Sequence, residues 1–354
     1  MKSFKTYAIA GAFGAAMAMT AGTAFAECSA GDYQGCVGKP WVDGTVMDTP
    51  LGSKWWPHPI WGAGDEAGST NYYKQTEVVL RALAVIKKGM TMEIGHEYHA
   101  DMPLFGQRKF SLRIPGNPTG GTWGGNSIVY HDEFLATEIG QVGTQFDGLG
   151  HVGVSVGALN DRSEQRFYNG FTVEDMQGAY GLAKLGTEEL HPIIARGIML
   201  DIAAVKGRIM EKGEVITMAD VHAALKMQGM EGYKFMPGDA IVFRTGWEAY
   251  WEDPAKFNDG CPGIGMEVAR WIAEDIKAGL TAGDTWPVDA IPNPDPACAF
   301  CIHNFLQTRH GIVNQENLRL KELADLGIYE FAYFFAPSPI RGATGANGNP
   351  VAIW

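Results

Sequence analysis

The sequence predicts an α/β protein built around a mixed β-sheet. Apolar segments of strand length recur along the chain, and a few amphipathic segments of helical period lie between them. Because the two kinds of segment alternate, helices are expected to pack on a sheet rather than form a separate layer. Hydrophobic residues make up 46% and charged residues 19% of the 354 residues. These fractions are typical of a globular protein and exclude a disordered chain.

The clearest predicted helix covers residues 76–88. Apolar residues from Val78 to Ile86 form one stripe there, Thr76 is the candidate N-cap, and Gly89 ends the helix. Further helices are predicted, in chain order, at 172–176, at 219–227 with Thr217 as its cap, at 265–278 and near 318–326.

Strands are predicted from short apolar runs and from alternation of apolar and polar residues. The segment 127–145 alternates in this way and is expected to contain the strands of a hairpin. The other predicted strands are 90–94, 197–202, 238–245, 279–284, 286–291 and 328–335.

The N-terminus has the features of an export signal. A basic start is followed by an apolar run and by Ala24-Phe25-Ala26, so residues 1–26 are predicted to be a signal peptide cleaved before Glu27. The product is expected to be periplasmic or secreted, without a membrane anchor. Residues 27–69, rich in Gly, Pro and Trp, are predicted to be an extended N-terminal arm, and 70–354 the catalytic domain.

The net charge indicates which partners are excluded, and the cysteines indicate where disulfides are expected. A net charge of −12 argues against nucleic acid and anionic membranes as partners and is compatible with a small-molecule substrate. In an oxidising compartment the five cysteines are expected to form disulfides. Cys28 is expected to pair with Cys36, and Cys261 with Cys298 or Cys301, which leaves one thiol over.

The most informative segment is 141–151. On a strand, Gln141, Gln145 and Asp147 point to the same face. The glycines after Asp147 allow a turn that brings His151 back beside it. A carboxylate and an imidazole at this spacing suit zinc or manganese as ligands. Alternatively, the same Asp and His near a glycine turn can simply stabilise a hydrogen-bonded loop.

This segment resembles the H-x-G-T-H-x-D-x-P-x-H signature of the cyclase family, which includes bacterial kynurenine formamidases and isatin hydrolase. Gly143, Thr144, Asp147 and His151 are in register with it. Later segments agree with the family in order: 238–247 ending in Thr-Gly-Trp, 283–292, His303 with 311–318, and 340–353.

The resemblance implies a swivelling β/β/α domain that forms a homodimer or homotetramer. It also implies a metal site with Asp147, His151, His303 and Glu316 as ligands. The family pattern has metal-binding histidines where this chain has Gln141 and Gln145, and an amide is a weaker, neutral ligand. One divalent ion, zinc or manganese, is therefore expected.

Leu149 also departs from the signature, where the family has proline; this change affects the turn more than the chemistry. The two glutamines are either weak metal ligands or contacts to the substrate or to a metal-bound water. Alternatively, they mark a site that has lost its activity.

The expected activity is that of an exported metal-dependent hydrolase that opens or cleaves a small amide, imide or lactone with a metal-activated water. Gln145, Thr144 and His131 are the candidate catalytic residues, and His310 is a further candidate proton donor. The alternatives are an inactive binding protein of the same fold, or a metal-dependent dehydratase or isomerase.

Five aromatic residues are candidates to line the pocket of a flat, aromatic substrate. They are Trp55, Trp56, Phe105, Tyr130 and Trp247.

Overall fold

The computed structural model describes residues 48–49, 52–156, 161–296 and 298–354. The predicted signal peptide, the proposed Cys28–Cys36 pair and most of the predicted arm lie outside the described residues. Within the described part of the chain, no helix is both long and apolar enough to span a membrane.

The strands are short, and nine of the nineteen in the described residues belong to one sheet. In chain order they are β1 (Asp48–Thr49), β2 (Gly52–Ser53), β3 (Thr91–Glu93), β4 (Phe110–Arg113), β5 (Gly120–Trp123), β6 (Ile128–Tyr130), β7 (Phe134–Thr137), β8 (Gln145–Asp147), β9 (Val154–Ser155), β10 (Gln165–Arg166), β11 (Ile193–Asp201), β12 (Val215–Ile216), β13 (Ala240–Arg244), β14 (Gly263–Ile264), β15 (Leu280–Gly283), β16 (Val313–Glu316), β17 (Glu330–Phe335), β18 (Gly345–Asn347) and β19 (Val351–Ile353).

A nine-stranded mixed sheet organises the molecule, with the strand order β18-β8-β16-β15-β13-β11-β17-β19-β3. Its four inner strands β16, β15, β13 and β11 are parallel, and the outer strands pair antiparallel. Successive residues of β11 enter different cores: Met199 packs on one face of the sheet and Leu200 on the other. Both faces are thus covered, which is why β11 and β13 are largely apolar runs. The predicted α/β class with a mixed sheet is confirmed.

The helices are short and lie between the strands. They are α1 (Thr76–Ala84), α2 (Val173–Met176), α3 (Ile202–Lys206), α4 (Met218–Met227), α5 (Pro254–Phe257), α6 (Met266–Arg270), α7 (Cys301–His303) and α8 (Lys321–Asp325). α6 continues into π-helical Trp271–Ile276, and α7 into π-helical Asn304–Arg309. Short segments of 3-10 helix occur at Gly68–Lys74, Arg162–Glu164, Tyr168–Gly170, Thr187–Glu189 and Trp247–Tyr250.

The helix predictions are confirmed in place and corrected in detail. α1 ends at Ala84 rather than at residue 88, and its N-cap is Gln75, since Thr76 is already helical. The predicted cap Thr217 is confirmed: its side chain accepts from the backbone of Asp220 in a capping box.

One strand prediction is wrong, and another is corrected in its pairing. The segment 286–291 forms only isolated bridges, and Pro287 cannot donate to a strand ladder. The strands in 127–145 do not pair with each other: β6 pairs with β5 and β7 with β4, so that residues 110–137 form a two-stranded ribbon. β8, at the end of this segment, joins the central sheet instead.

The cysteine pairing also differs from the prediction. Cys298 is disulfide-bonded to Cys301, and Cys261 is a buried free thiol. Two cysteines three residues apart close a tight loop at the start of α7, which leaves Cys261 without a partner sulfur among the described residues.

Candidate metal centre

The site forms where β8 and β16 lie side by side. Their antiparallel register places Glu316 opposite Gln145 and Asn314 opposite Asp147. Two carboxylates far apart in the sequence are thereby brought together within the buried sheet. The regular strand begins only at Gln145, so the predicted strand face does not extend to Gln141. Gln141 nevertheless reaches Asp147, through the turn that precedes the strand.

Asp147, His303 and Glu316 form a buried triad. One potential ligand atom from each lies within 4.8 Å of the other two. His303 Nε2 is 3.1 Å from Glu316 Oε1 and 3.4 Å from Asp147 Oδ2. Asp147 Oδ2 is buried and has no hydrogen-bond partner. Glu316 accepts from Gln145 and Asn314, so Asp147 Oδ2 is the triad oxygen without a hydrogen-bond donor. A buried carboxylate oxygen of this kind, beside an imidazole and a second carboxylate, fits a divalent cation.

Asp289 orients the imidazole of this triad. His303 Nδ1 donates to Asp289 Oδ2 at 2.6 Å, and the backbone amides of Ile302 and His303 donate to the same carboxylate at 2.8 and 3.2 Å. Because Nδ1 is bonded to Asp289, Nε2 is the ring nitrogen that faces Asp147 and Glu316. This carboxylate–histidine pairing is the arrangement that usually fixes a metal-binding histidine. Sequence analysis missed Asp289. The segment 286–291 is predicted to be a strand, whereas it forms only isolated bridges, so the direction of this side chain could not be read from the sequence.

The titration of the triad reflects unbalanced negative charge. Burial, together with the charge of Asp147, raises the pKa of Glu316 to about 7. Burial opposes ionisation of Asp147, but His151 and His303 outweigh it and lower the pKa of this carboxyl group. Burial also disfavours a charged His303, yet the nearby carboxylates of Asp147, Asp289 and Glu316 raise its pKa well above the usual value. In the absence of a cation, the triad therefore retains a proton.

His151 lies at the open side of the triad. Its Nε2 is 3.8 Å from Asp147 Oδ1, and its ring centre is 6.5 Å from that of His303. The turn predicted to bring it back is present, with the His151 amide donating to the Gly148 carbonyl at 3.1 Å. Burial lowers the pKa of His151, so its imidazole is neutral and able to coordinate a metal.

The two glutamines contact the carboxylates through their amide nitrogens. Gln141 Nε2 donates to Asp147 Oδ1 at 2.6 Å, and Gln141 Oε1 accepts from Arg108 Nη2 at 3.1 Å. Gln145 Nε2 donates to Glu316 Oε2 at 2.5 Å. An amide nitrogen has no lone pair for a metal, so in this arrangement both side chains position the carboxylates.

A cavity of about 470 Å³ opens onto the triad. One wall is aromatic: the rings of Phe105 and Trp286 stack at 4.2 Å, and Phe300 meets Trp286 edge-on at 6.2 Å. The guanidinium of Arg108 lies 5.3 Å from the centre of the Phe105 ring. The lining residues are Phe105, Arg108, Gln141, Gln145, His151, Val152, Gly153, Trp286, Pro287, Ala299, Phe300, His303, Asn304 and Glu316.

The remaining predicted catalytic residues lie apart from this cavity. The Thr144 hydroxyl is buried, donating to the Asn317 carbonyl at 2.7 Å and accepting from the His96 amide at 2.8 Å. His131 is exposed and lies 3.0 Å from Asn117 Oδ1. His310 is half-buried in a different part of the fold, where desolvation lowers its pKa to about 3.

Of the five predicted pocket aromatics, Phe105 lines the cavity. Trp55 packs with Trp56 in a small separate cluster. Trp247 is buried in another core, and its indole donates to the Phe257 carbonyl at 3.1 Å. Tyr130 contacts Trp123 on the two-stranded ribbon. Sequence analysis missed Arg108, Trp286 and Phe300. The available signal was two aromatic residues, Trp286 and Phe300, that precede His303 in the sequence.

Comparisons with known proteins agree with this fold. A family model described as "Putative cyclase" matches residues 92–290. The crystal structure of a novel cyclase superposes with a TM-score of 0.70 at 28% identity, covering 83% of this chain and 96% of that chain.

Two isatin hydrolases share the fold. Isatin hydrolase A from Ralstonia solanacearum gives a TM-score of 0.54 at 19% identity, covering 78% of this chain and 98% of that one. The Labrenzia aggregata enzyme, bound to benzyl benzoate, gives 0.52 at 17% identity, covering 74% and 93%. The comparison with curated proteins gave no match.

Proposed function

The chain belongs to the cyclase family, and on that premise we propose that it is a metal-dependent hydrolase. It opens or cleaves a C–N or C–O bond in a small amide, imide or lactone. The observation that carries this proposal is the buried triad of Asp147, His303 and Glu316, in which Asp147 Oδ2 lacks a hydrogen-bond partner. The names of the isatin hydrolases that share the fold support a hydrolytic reaction.

Asp147, His303 and Glu316 would hold one zinc or manganese ion, with His151 as the neighbouring fourth ligand. When bound, such an ion lowers the pKa of a coordinated water and polarises a carbonyl oxygen. Asp289 keeps the Nε2 of His303 directed at the site. Gln141 and Gln145 hold the two carboxylates through their amide N–H groups.

The cavity supports a flat, aromatic substrate. The stacked rings of Phe105 and Trp286 provide an apolar wall against which a planar ring can pack. Arg108, bonded to Gln141, places a cation beside this wall and near the triad. It can hold a carbonyl or carboxylate oxygen of the substrate in place and balance negative charge that develops there.

We further propose that the mature protein is exported after cleavage of residues 1–26 and assembles as a homodimer or homotetramer. Export is consistent with a disulfide that persists, as at Cys298–Cys301.

The test begins with metal content. Purified protein is stripped of metal, repleted with zinc or manganese and analysed by mass spectrometry, with Asp147→Asn as the site variant. We expect one ion in the parent protein and none in the variant. His222→Ala, an exposed histidine on α4, is the control and should retain the ion. No ion in the parent protein would refute the proposal.

Product analysis separates hydrolysis from its alternatives. The repleted enzyme is incubated with isatin, an N-formylaniline and an aromatic lactone in ¹⁸O-labelled water. Label in the product identifies hydrolysis. Product without label identifies a dehydratase or isomerase. Metal binding without turnover of any of these compounds favours the inactive binding protein, an alternative motivated by the two glutamines.

A further inference from the structure

The Cys298–Cys301 disulfide lies at the edge of the candidate metal centre. Ala299 and Phe300, the two residues that it encloses, both line the cavity. Cys301 is also the first residue of α7, the helix that carries His303. One covalent bond thus closes the loop that forms part of the cavity wall and the turn that presents a metal ligand.

The loop is coupled to the triad through Asp289. A carboxylate oxygen of Asp289 lies within 4.8 Å of both sulfurs. The same carboxylate accepts from the amides of Ile302 and His303 and from His303 Nδ1. A shift at Cys301 therefore changes the hydrogen bonds that hold the imidazole in place.

Phe300 shows that the loop needs a constraint. Its φ is 53°, in the left-handed region that residues other than glycine adopt only at a cost. Its ring lies edge-on to His303 at 5.9 Å and to Trp286 at 6.2 Å. Because the side chain is 38% exposed, packing alone does not over-determine this conformation, and the disulfide supplies the missing constraint.

We propose that Cys298–Cys301 is a thiol–disulfide modification site that controls the metal centre: the oxidised form holds Phe300 and His303 in place, and reduction releases them. The inference concerns the regulation of the same site and rests on the proposed function.

A dithiol reductant supplies both electrons and both protons needed to reduce the Cys298–Cys301 disulfide. A thiolate of the reductant attacks one sulfur and the S–S bond breaks. The second thiol of the reductant then attacks the reductant's sulfur in this mixed disulfide and releases the remaining cysteine. Both cysteines thus gain two electrons and two protons in total, and the reductant becomes a cyclic disulfide. Cys298 and Cys301 retain 7% and 6% exposure, and Ala299 between them is exposed, so a small reductant can approach.

The first experiment is hydrogen exchange on the metal-free protein, read by mass spectrometry. We compare the oxidised protein, the protein reduced with dithiothreitol and then freed of reductant without oxygen, and the variant Cys298→Ala/Cys301→Ala. We expect exchange in the peptide that contains Ile302 and His303 to be about tenfold faster or more in the reduced protein and in the variant. Peptides from α4 serve as the internal reference for global stability.

Cys261→Ala is the matched control, because it removes the buried free thiol and leaves the disulfide intact. It should exchange like the oxidised parent protein and should respond to dithiothreitol as the parent does. Equal exchange around His303 in oxidised and reduced protein would overturn the proposal.

The second experiment measures the affinity for zinc. The alanine variant is used because reduced cysteines beside Asp289 would themselves offer metal ligands. We expect its affinity to fall about 10- to 100-fold, as is typical when the support of a metal ligand is lost. An unchanged affinity overturns the proposal. If the oxidised parent binds no ion, the proposed function fails instead, and hydrogen exchange alone decides the redox site.

Discussion

The two sides of the site meet the same carboxylates in different ways. On the histidine side, the carboxylates of Asp147 and Glu316 lie against the imidazole of His303, and Asp147 Oδ2 has no hydrogen-bond partner. On the amide side, Gln141 bonds Asp147 through its nitrogen and Arg108 through its oxygen. The first side needs a cation or a proton, whereas the second is satisfied by protein groups alone.

This difference explains how the site can still bind an ion although Gln141 and Gln145 replace two histidines of the family signature. A glutamine that donates to a ligand carboxylate keeps that carboxylate in place without competing for the ion. Arg108, bonded to Gln141, also brings positive charge to the amide side and disfavours a second cation there. We therefore expect a single ion on the histidine side.

The largest expected effect comes from breaking the histidine side. His303→Ala removes the only nitrogen ligand of the triad, so zinc affinity should fall by more than about 100-fold. Equilibrium dialysis measures the loss, and circular dichroism checks that the fold persists. His222→Ala, exposed on α4, should bind like the parent protein. Undiminished affinity in His303→Ala would remove His303 from the ligand set.

The converse change gives the amide side the ligands of the family signature. Gln141→His combined with Gln145→His supplies two imidazole lone pairs, so bound zinc should rise from one ion per chain to two. The second ion should bind more weakly than the first, because Arg108 lies beside residue 141. Stoichiometry by mass spectrometry measures this. A count that stays at one would mean that more than these two residues excludes the second ion.

A smaller effect is expected from the carboxylate behind His303. Asp289→Asn keeps the size of the side chain but weakens its hold on Nδ1, so zinc affinity should decrease about 10- to 100-fold. Asp289→Glu, which keeps the charge, should recover part of the loss. Asp259→Asn, an exposed acid paired with Lys212, is the control. If the charge-conserving and neutral variants bind equally, Asp289 has only a packing role.

Sequence patterns predicted the parts of the molecule that local chemistry determines. The β11 and β13 runs are apolar because both faces of the sheet are covered, and Thr217 caps α4 through a local box. The ribbon at 110–137 was missed because strand pairing is not a local property.

The candidate site divides in the same way. Asp147 and His151 are close in sequence and stood out from spacing. His303 and Glu316 came from the resemblance to the family, and the sheet register then places Glu316 near Asp147. Asp289 and Trp286 lie in a segment without regular structure, where no periodicity indicates which way a side chain points.

The smallest expected effect is a pH dependence that tests the charge imbalance directly. In the metal-free protein the pKa of Glu316 is raised to about 7 and that of His303 is raised above its usual value. Because the pKa of each group is raised in the folded protein, its protonated form favours the folded state. This stabilisation of the fold is complete at low pH and is lost as the pH rises through the folded-state pKa.

Between roughly pH 5 and 8, the unfolding midpoint of the metal-free protein should therefore fall by about 2–4 °C relative to that of the zinc-loaded protein. Zinc replaces the proton as the countercharge, so the gap between the two forms should widen as the pH rises. Thermal unfolding monitored by circular dichroism provides the measurement. Glu316→Gln, which cannot ionise, should flatten the slope of the metal-free protein. Parallel slopes for metal-free and loaded protein would show that the carboxylates of the histidine side are already balanced without a cation.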